Sequence, residues 1–323
     1  MASASGHPRP SGLRLFQVDA FTRSAFGGNP AAVCFLPPPI HKEQEDGRTW
    51  SISAGVMKAI AGEMALSETA FLSPANLDES FESADRFCLR WFTPTREVDL
   101  CGHATMAAVA ALTRAGNASK SFSFNTLSGE LTAEICDDGQ IELVLPCNEP
   151  SKVPQGAGAQ VCVEEIAAVC LGSTESLSKV RDVSISARAK KLLIEMDSAR
   201  FSRDDLENLL VPSSSSLLAV NQEALLPDLE VRGVMICLLG TGDPYDFVSR
   251  YFAPWNGIAE DAVTGAAHSV LAPYFAEKLQ RTQLRARQCS PRGGDLDLVV
   301  EWASKKVRIR GHATVVLEGQ LFL

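Results

Sequence analysis

Glu68 is the acidic residue whose sequence setting most favours proton transfer. It lies within residues 66–72 (LSETAFL), where a helical pattern gives way to an extended one and apolar residues stand on both sides. Burial in such surroundings disfavours the charged carboxylate and raises its pKa toward the working range of a general base. The alternative is structural, since Glu68 could simply accept hydrogen bonds within a turn.

His103 is the histidine best placed for chemistry. It lies in the first turn of a predicted helix, two residues after Cys101. The first turn of a helix has unpaired backbone N–H groups and partial positive charge, so a carboxylate or phosphate binds well there. A structural role is the alternative for His103. It is also the simplest interpretation of the other histidines, which are His7, His41, His268 and His312.

Two segments that lie half a chain apart share one pattern. Residues 101–109 (CGHATMAAV) and 263–271 (VTGAAHSVL) each have a glycine turn that opens a helix of small residues. The pattern favours a duplicated domain, each copy wrapping strands around a central helix, although coincidence is the alternative. If the copies face each other, the helix starts at Gly102 and Gly265 converge on one small acidic ligand.

Glu260 and Asp261 stand directly before the second glycine turn. They could take part in acid–base chemistry, or could only stabilise the helix start through its dipole. No histidines or cysteines show a metal-binding spacing such as HxH, HExxH or CxxC, so we predict no metal site. The sequence also lacks a GxxxxGK[ST] loop and a GxGxxG motif after a strand, and it therefore gives no support for a nucleotide cofactor.

Composition narrows the class of protein. The 30 basic and 39 acidic residues give a net charge of −9, which argues against nucleic acid or an anionic membrane as partner. No apolar run approaches the ~20 residues that span a bilayer. The nine cysteines are odd in number and scattered, so we expect a reducing compartment and a cytoplasmic location. Residues 1–12 lack the apolar core of a secretory signal and are predicted to be a disordered extension.

Local patterns predict a mixture of strands and helices. We expect a helix over residues 52–66, a strand over 87–93 and a small-residue helix closed by Gly116. Further strands are predicted at 121–126, 131–136, 141–146, 191–196, 234–240, 296–302 and 306–311, and short helices at 164–170 and 203–210. The serine tract 213–216 is interpreted as a loop.

Several ordered blocks together resemble the PhzF family, the phenazine-biosynthesis-like proteins with the diaminopimelate epimerase fold. The matching blocks are FQVDAFTRSAFGGNPAAVCFL, ALSETAFL, LRWFTPTREVDLCGHATMAAVAAL, TLSGEL, YFAPWNGIAEDAVTGAAHSVL, QCSPRGGDLDL and RIRGHATVVLEG. The resemblance implies an α+β fold of two pseudo-twofold-related domains, each a β-barrel-like sheet around a central helix, with the active site in the cleft between them. We assign residues 13–126 and 127–323 to the two domains, and the last strand could return to the first.

The resemblance also implies roles for individual residues. Glu68 matches the glutamate that moves a proton between carbons of a dihydro-hydroxyanthranilate in the phenazine-making isomerase. His103 and Asp261 match residues that orient the substrate and support proton transfer, and no cofactor is implied. We expect the following residues to contact the substrate: Gly28, Asn29, Gly102, Thr264, Gly265 and Ala266.

The sequence departs from its relatives at two kinds of position. Related epimerases use two facing thiols; Cys101 matches the first, but the second falls at Ala262, which cannot exchange a proton. This disfavours a two-thiol epimerase. The PhzF pattern EDPxTGS also has a serine where this chain has Ala266, which removes a hydroxyl worth ~1–3 kcal/mol if buried.

Three functional hypotheses remain. The leading one is a cofactor-independent isomerase of a small carboxylate-bearing metabolite, in which Glu68 is the general acid and base. A catalytically inactive protein that uses the fold for binding or regulation is the second, and a hydratase-like lyase is the third. Retention of Glu68, His103 and Asp261 favours an enzyme, whereas Ala266 favours the inactive alternative. A homodimer is compatible with each hypothesis.

Overall fold

The computed structural model describes residues 12–38, 50–225, 229–240 and 244–323. The predicted N-terminal extension therefore lies outside the described residues, except for Gly12. The strands of the described part are β1 (Leu13–Ala20), β2 (Asn29–Phe35), β3 (Glu68–Pro74), β4 (Arg86–Phe92), β5 (Glu97–Val98), β6 (Ser121–Thr126), β7 (Gly129–Ile135), β8 (Ile141–Pro146), β9 (Ser151–Lys152), β10 (Val180–Ser186), β11 (Lys191–Met196), β12 (Gly233–Leu239), β13 (Phe247–Phe252), β14 (Gln283–Gln288), β15 (Gly294–Glu301), β16 (Lys306–Gly311) and β17 (Ala313–Leu321). The helices are α1 (Ala54–Met64), α2 (Gly102–Arg114), α3 (Ala157–Leu171), α4 (Arg203–Glu207), α5 (Ser214–Ala219), α6 (Gln222–Leu225) and α7 (Gly265–Leu279).

The strand pairing repeats itself. In the first half the neighbours run β17-β1-β2-β3-β4-β6-β7-β8, with parallel pairs only at β2–β3 and β4–β6. In the second half they run β9-β10-β11-β12-β13-β14-β15-β16, with parallel pairs at the equivalent steps β11–β12 and β13–β14. The same sequence of eight strands thus occurs twice, as expected for a duplicated domain.

A helix connects the equivalent pair of parallel strands in both halves. Helix α2 connects the parallel pair β4–β6 and contacts β1, β2, β3 and β17, while α7 connects β13–β14 and contacts β11, β14, β15 and β16. Every residue of α2 from Gly102 to Leu112 is buried. Small side chains allow this, because the strands that wrap the helix can approach its backbone closely. The fold is a diaminopimelate epimerase-like α+β fold.

The two halves join along the antiparallel pair β8–β16, which are the last strands of the two sets. On this pairing β7 and β8 belong with the first half, and β17 returns to pair with β1. We therefore propose a domain boundary after Pro146 in place of the one drawn after residue 126, with β17 completing the first domain.

The serine tract differs from its predicted loop conformation. Residues 214–216 begin α5, and the Ser213 side chain accepts a hydrogen bond from the backbone N–H of Ser216 at 3.3 Å. Serine is a favoured N-cap residue because its side-chain oxygen satisfies a free N–H of the first turn. The tract is thus a helix start, and the loop interpretation was wrong.

In the part of the chain that the structure describes, no helix combines the length and apolar character needed to span a membrane.

Candidate active site

The starts of α2 and α7 meet at the centre of the molecule. A Cβ atom placed on Gly102 would lie 3.9 Å from the Gly265 Cα, and one on Gly265 would lie 4.0 Å from the Gly102 Cα. Both helices therefore direct their N-terminal ends, with their partial positive charge, toward one region. The two helices start at Gly102 and Gly265, as the sequence predicts, and their convergence on one ligand stays a prediction.

Glu68 is the first residue of β3 and lies beside His103. Its Oε2 atom is 3.4 Å from His103 Nε2, and Ser67 Oγ lies 3.2 Å from the same nitrogen. The side chains are mostly buried, with 12% of Glu68 and 5% of His103 exposed. The short turn between α1 and β3 thus places two oxygen atoms next to one imidazole nitrogen.

The Glu68 carboxyl has a raised pKa. Burial is the main cause, and the negative charge of Asp261 raises the pKa further. The charge of His103 and a hydrogen bond with Ser67 lower the pKa in part. Oε2 is buried and has no hydrogen-bond partner among the described residues. A carboxyl group in this state can accept and release a proton closer to neutral pH than an ordinary glutamate.

The Cys101 thiol lies next to the second nitrogen of the same histidine ring. Its Sγ atom lies 3.5 Å from His103 Nδ1. Burial raises the pKa of the thiol well above its usual value, and the charge of Glu68 raises it further. The thiol is therefore protonated at neutral pH and can donate to Nδ1. A neutral imidazole that accepts from the thiol at Nδ1 carries its own proton on Nε2, which faces Glu68, whereas the imidazolium whose charge lowers the Glu68 pKa has a proton on each nitrogen.

Asp261 is held by residues from both halves. Asn29 Nδ2 donates to Asp261 Oδ1 at 2.7 Å and to the Val263 carbonyl at 2.8 Å, and the Thr264 hydroxyl donates to Asp261 Oδ2. Asn29 is almost completely buried at the start of β2. Because Thr264 Oγ1 is bound to Asp261, it does not cap α7. Asn29 and Thr264 thus position Asp261.

The neighbouring Glu260 has a different role from Asp261. Its carboxylate forms two hydrogen bonds with Arg250, at 2.6 and 2.7 Å, and both side chains are buried. This ion pair fixes the segment that leads to α7. The alternative in which Glu260 only stabilises the helix start by its charge does not match this geometry.

Gln288 was missed by the sequence analysis. It is fully buried at the end of β14, where its side chain donates to the Asp261 carbonyl at 2.6 Å and accepts from the Thr264 N–H at 2.9 Å. It therefore holds both ends of the turn before α7. Only its place at the head of the QCSPRGG block distinguished it in the sequence.

Gly28 shapes the turn before Asn29. Its φ is +59°, and a Cβ atom there would lie 2.0 Å from the Ala20 carbonyl oxygen. The Arg292 Nε group donates to the Gly28 carbonyl at 2.9 Å. Gly28 is therefore required for the backbone path that delivers Asn29 to Asp261.

Comparison with known proteins decides the family. The sequence profile of PhzC-PhzF, described as phenazine biosynthesis-like protein, matches residues 18–319. The chain is a member of this family. It is 41% identical to phenazine biosynthesis-like domain-containing protein 1 of Mus musculus, over 96% of this chain and 99% of the relative.

Two further similarities extend to bacteria. An uncharacterized isomerase of Halalkalibacterium halodurans is 36% identical, over 96% of this chain and 98% of its own length. The crystal structure of a PhzF family protein from Enterococcus faecalis superposes with a TM-score of 0.76 at 31% identity, covering 97% of this chain and all of that one. Of these three relatives, the Halalkalibacterium protein is the one whose name contains isomerase.

The start of α7 offers free donors in this family member. The backbone N–H groups of Gly265 and Ala266 have no hydrogen-bond partner among the described residues, whereas those of Ala267 and His268 bond to the Thr264 carbonyl at 3.2 Å. At the start of α2, Cys101 forms no side-chain cap hydrogen bond, and the N–H groups of Ala104 and His103 lower the pKa of its thiol. The free donors of α7 suit an anionic ligand.

Glu68, Cys101 and His103 also offer metal-ligand atoms within 4.8 Å of one another. However, Cys101 and Glu68 approach opposite nitrogens of the imidazole ring. A metal ion bound to one of these nitrogens could therefore be coordinated by both Cys101 and Glu68 only if the side chains moved. The arrangement favours a hydrogen-bonded chain, and the absence of a metal stays a prediction.

Proposed function

We propose that this protein is a cofactor-independent isomerase of a small carboxylate-bearing metabolite, with Glu68 as general acid and base. The observation that carries the proposal is a mostly buried carboxyl group 3.4 Å from His103, and burial raises the pKa of that group. The adjacent helix starts supply binding for an anion. The isomerase-type relatives agree with this assignment.

The proposed reaction moves one proton within the substrate. The Glu68 carboxylate removes a proton from a carbon atom, and the C–H electron pair enters the substrate's π-system as a double bond shifts. Glu68 then delivers the same proton to a different carbon, which restores the carboxylate. Atoms and electrons balance within the substrate, so the reaction consumes no co-reactant.

Other residues assist this transfer in the proposal. His103 donates from Nε2 to Glu68 or to substrate and stabilises the negative charge that develops. The N–H groups of Gly265 and Ala266 bind the substrate carboxylate, and Asp261 accepts a hydrogen bond from a polar substituent. Cys101 is a positioning residue, because its protonated thiol sets the tautomer of His103.

A catalytically inactive binding protein is the second candidate. Ala266 favours it, because the first turn of α7 lacks the hydroxyl that the family pattern provides. In this candidate the cleft binds a carboxylate without turnover. Removal of the Glu68 charge then has no effect on any reaction.

The experiment is a turnover screen of small unsaturated and cyclic carboxylates in D2O, read by chromatography and mass spectrometry. We expect the wild-type protein to produce an isomer of unchanged composition with deuterium at carbon. Glu68→Gln should lose this activity by at least about 10²-fold, the usual contribution of a general acid or base.

Two controls sharpen the screen. Glu63→Gln removes an exposed charge on α1 and should leave turnover unchanged. Cys101→Ser should keep most of the rate, because a hydroxyl can also donate to Nδ1. Equal turnover by wild type and Glu68→Gln would overturn the assignment. Complete loss of turnover in a folded Cys101→Ser variant would indicate thiol chemistry. A product lighter than the substrate by one water molecule would indicate a lyase.

A further inference from the structure

Lys191 is a buried cation that the proposed reaction does not use. It is the first residue of β11, its side chain is mostly buried, and its Nζ donates to the Ala189 carbonyl at 3.3 Å. It forms no ion pair with a carboxylate among the described residues. A lysine ammonium has three donors and is costly to bury without an anionic partner.

The geometry of β11 places Lys191 beside the start of α7. Glu195, four residues further along the same strand face, accepts a hydrogen bond from Tyr274 on α7 at 2.6 Å. Four strand residues and the nine helical residues from Tyr274 back to Gly265 both span about 13 Å. The Glu195–Tyr274 contact fixes one end of this pair, and the charge of Asp261, which acts on Lys191, places the other end near the turn that leads into α7.

The neighbours of Lys191 also place it near Asp261. Its Nζ lies 5.4 Å from the centre of the Tyr251 ring, and Gly233 leaves room for that ring, since a Cβ there would be 2.1 Å from the tyrosine oxygen. The Tyr251 carbonyl accepts a hydrogen bond from the Asp261 N–H at 3.1 Å. Lys191, Tyr251 and Asp261 thus lie near one another, beside the turn that leads into α7.

The titratable groups facing Lys191 are Asp261 and Tyr251. Burial lowers the pKa of Lys191 to about 8, and the charge of Asp261 opposes this effect. Burial raises the pKa of Tyr251, and Asp261 raises it further, so this hydroxyl stays neutral when Lys191 titrates. The lysine is thus charged at neutral pH, and only Asp261 offsets its charge in part.

We propose that Lys191 binds a second anionic group of the substrate, so that the cleft takes a compound with two acidic groups. The first group binds at the N–H groups of Gly265 and Ala266, and the second binds at Lys191 Nζ. This inference rests on the proposed substrate cleft and specifies its substrate class. The second group is an oxyanion, either a carboxylate or a phosphate-like group.

The test measures binding of small probes by calorimetry at pH 7. Benzoate carries one carboxylate, phthalate, isophthalate and terephthalate carry two at different spacings, and 4-phosphonobenzoate replaces one by a phosphonate. We expect wild type to bind at least one of the doubly acidic probes about tenfold or more tightly than benzoate, a typical effect of a charge-assisted hydrogen bond. Comparison of terephthalate with 4-phosphonobenzoate distinguishes the two oxyanions.

Variants at neighbouring lysines provide the matched comparison. Lys191→Met should remove the preference for the second acidic group while benzoate binding stays within about threefold, and Lys191→Arg should keep part of it. Lys190→Met is the control, because Lys190 is exposed and pairs with Glu230 at the surface. When the doubly acidic probe binds at pH 8.5, wild type should take up protons at Lys191. Lys191→Met should show no such proton uptake.

An unchanged preference in folded Lys191→Met, or equal binding of all probes by wild type, would overturn this inference. Turnover that depends on Glu68 could still be observed in either case, so the proposed function would stand. Conversely, Glu68→Gln should keep the probe preference whether or not the reaction is as proposed.

Discussion

Burial and two charged neighbours, Asp261 and His103, act on the Glu68 carboxyl in opposite directions. Burial and Asp261 favour the protonated carboxyl, whereas His103 favours the carboxylate. The net result is a raised pKa, which suits a group that must accept a proton and then return it. The protonated Cys101 thiol adds to this arrangement by fixing the orientation of the His103 ring.

Ala266 gives a prediction at the residue scale. Its N–H is free, but alanine offers no hydroxyl to an anion at the first turn of α7. Ala266→Ser should tighten benzoate binding by up to about tenfold, because a hydroxyl donor adds up to ~1.5 kcal/mol. Calorimetric titration of both proteins measures this difference. Equal or weaker binding by the folded serine variant would mean that the cleft is shaped for another ligand.

At the scale of elements, α7 carries a histidine that controls acid stability. His268 is fully buried, its Nδ1–H donates to the Thr264 carbonyl at 2.8 Å, and its Nε2 has no partner among the described residues. Burial lowers its pKa to about 4, so the folded protein contains the neutral ring. The unfolded chain has an ordinary histidine and takes up the proton at higher pH.

The free energy of unfolding should therefore respond to His268 between pH 6.5 and 4. The unfolded state binds more protons in this window, so stability is lost as the pH falls, by about 3 kcal/mol at most. His268→Gln cannot titrate and should lose correspondingly less stability over the same window. Urea unfolding at several pH values measures this, and parallel pH profiles for the two proteins would contradict the argument.

Sequence patterns predicted the elements well where the signal is local. The glycine turns before α2 and α7, and the apolar runs of β8, β11 and β16, depend on neighbouring residues alone. Lys191 and Gln288 escaped detection because their roles depend on partners that strand pairing brings from distant segments. The serine tract was misassigned because a helix cap and a polar loop use the same residue types.

At the scale of the whole molecule, the repeated order of eight strands explains why the candidate active site lies where the two halves join. The β8–β16 pair joins the two halves, and the starts of α2 and α7 then meet. Asn29 from the first half holds Asp261 from the second, so the acidic groups of the site depend on this junction. The duplicated architecture therefore assembles the site from both halves.

A double-mutant cycle tests this contact between the halves. The nearest atoms to a Cβ on Gly102 or Gly265 lie at 3.7 Å or beyond, so Gly102→Ala and Gly265→Ala should each change stability by no more than about 1 kcal/mol. The double variant should be destabilised beyond the sum by at least ~0.5 kcal/mol, because each new methyl group lies within 4.0 Å of the other residue's Cα. Additive effects in urea unfolding would show that the helix starts are separate.

The most direct measurement for the central claim is the titration of the Glu68 carboxyl in the ligand-free protein. Selective 13C labelling of glutamate carboxyls, with Glu68→Gln to assign the resonance, gives its midpoint by NMR without any knowledge of the substrate. The account predicts a midpoint clearly above the ordinary glutamate value of about 4.3, because burial and Asp261 disfavour the carboxylate. A midpoint at or below that value would mean a permanently ionised Glu68 and would contradict its role as the proton carrier.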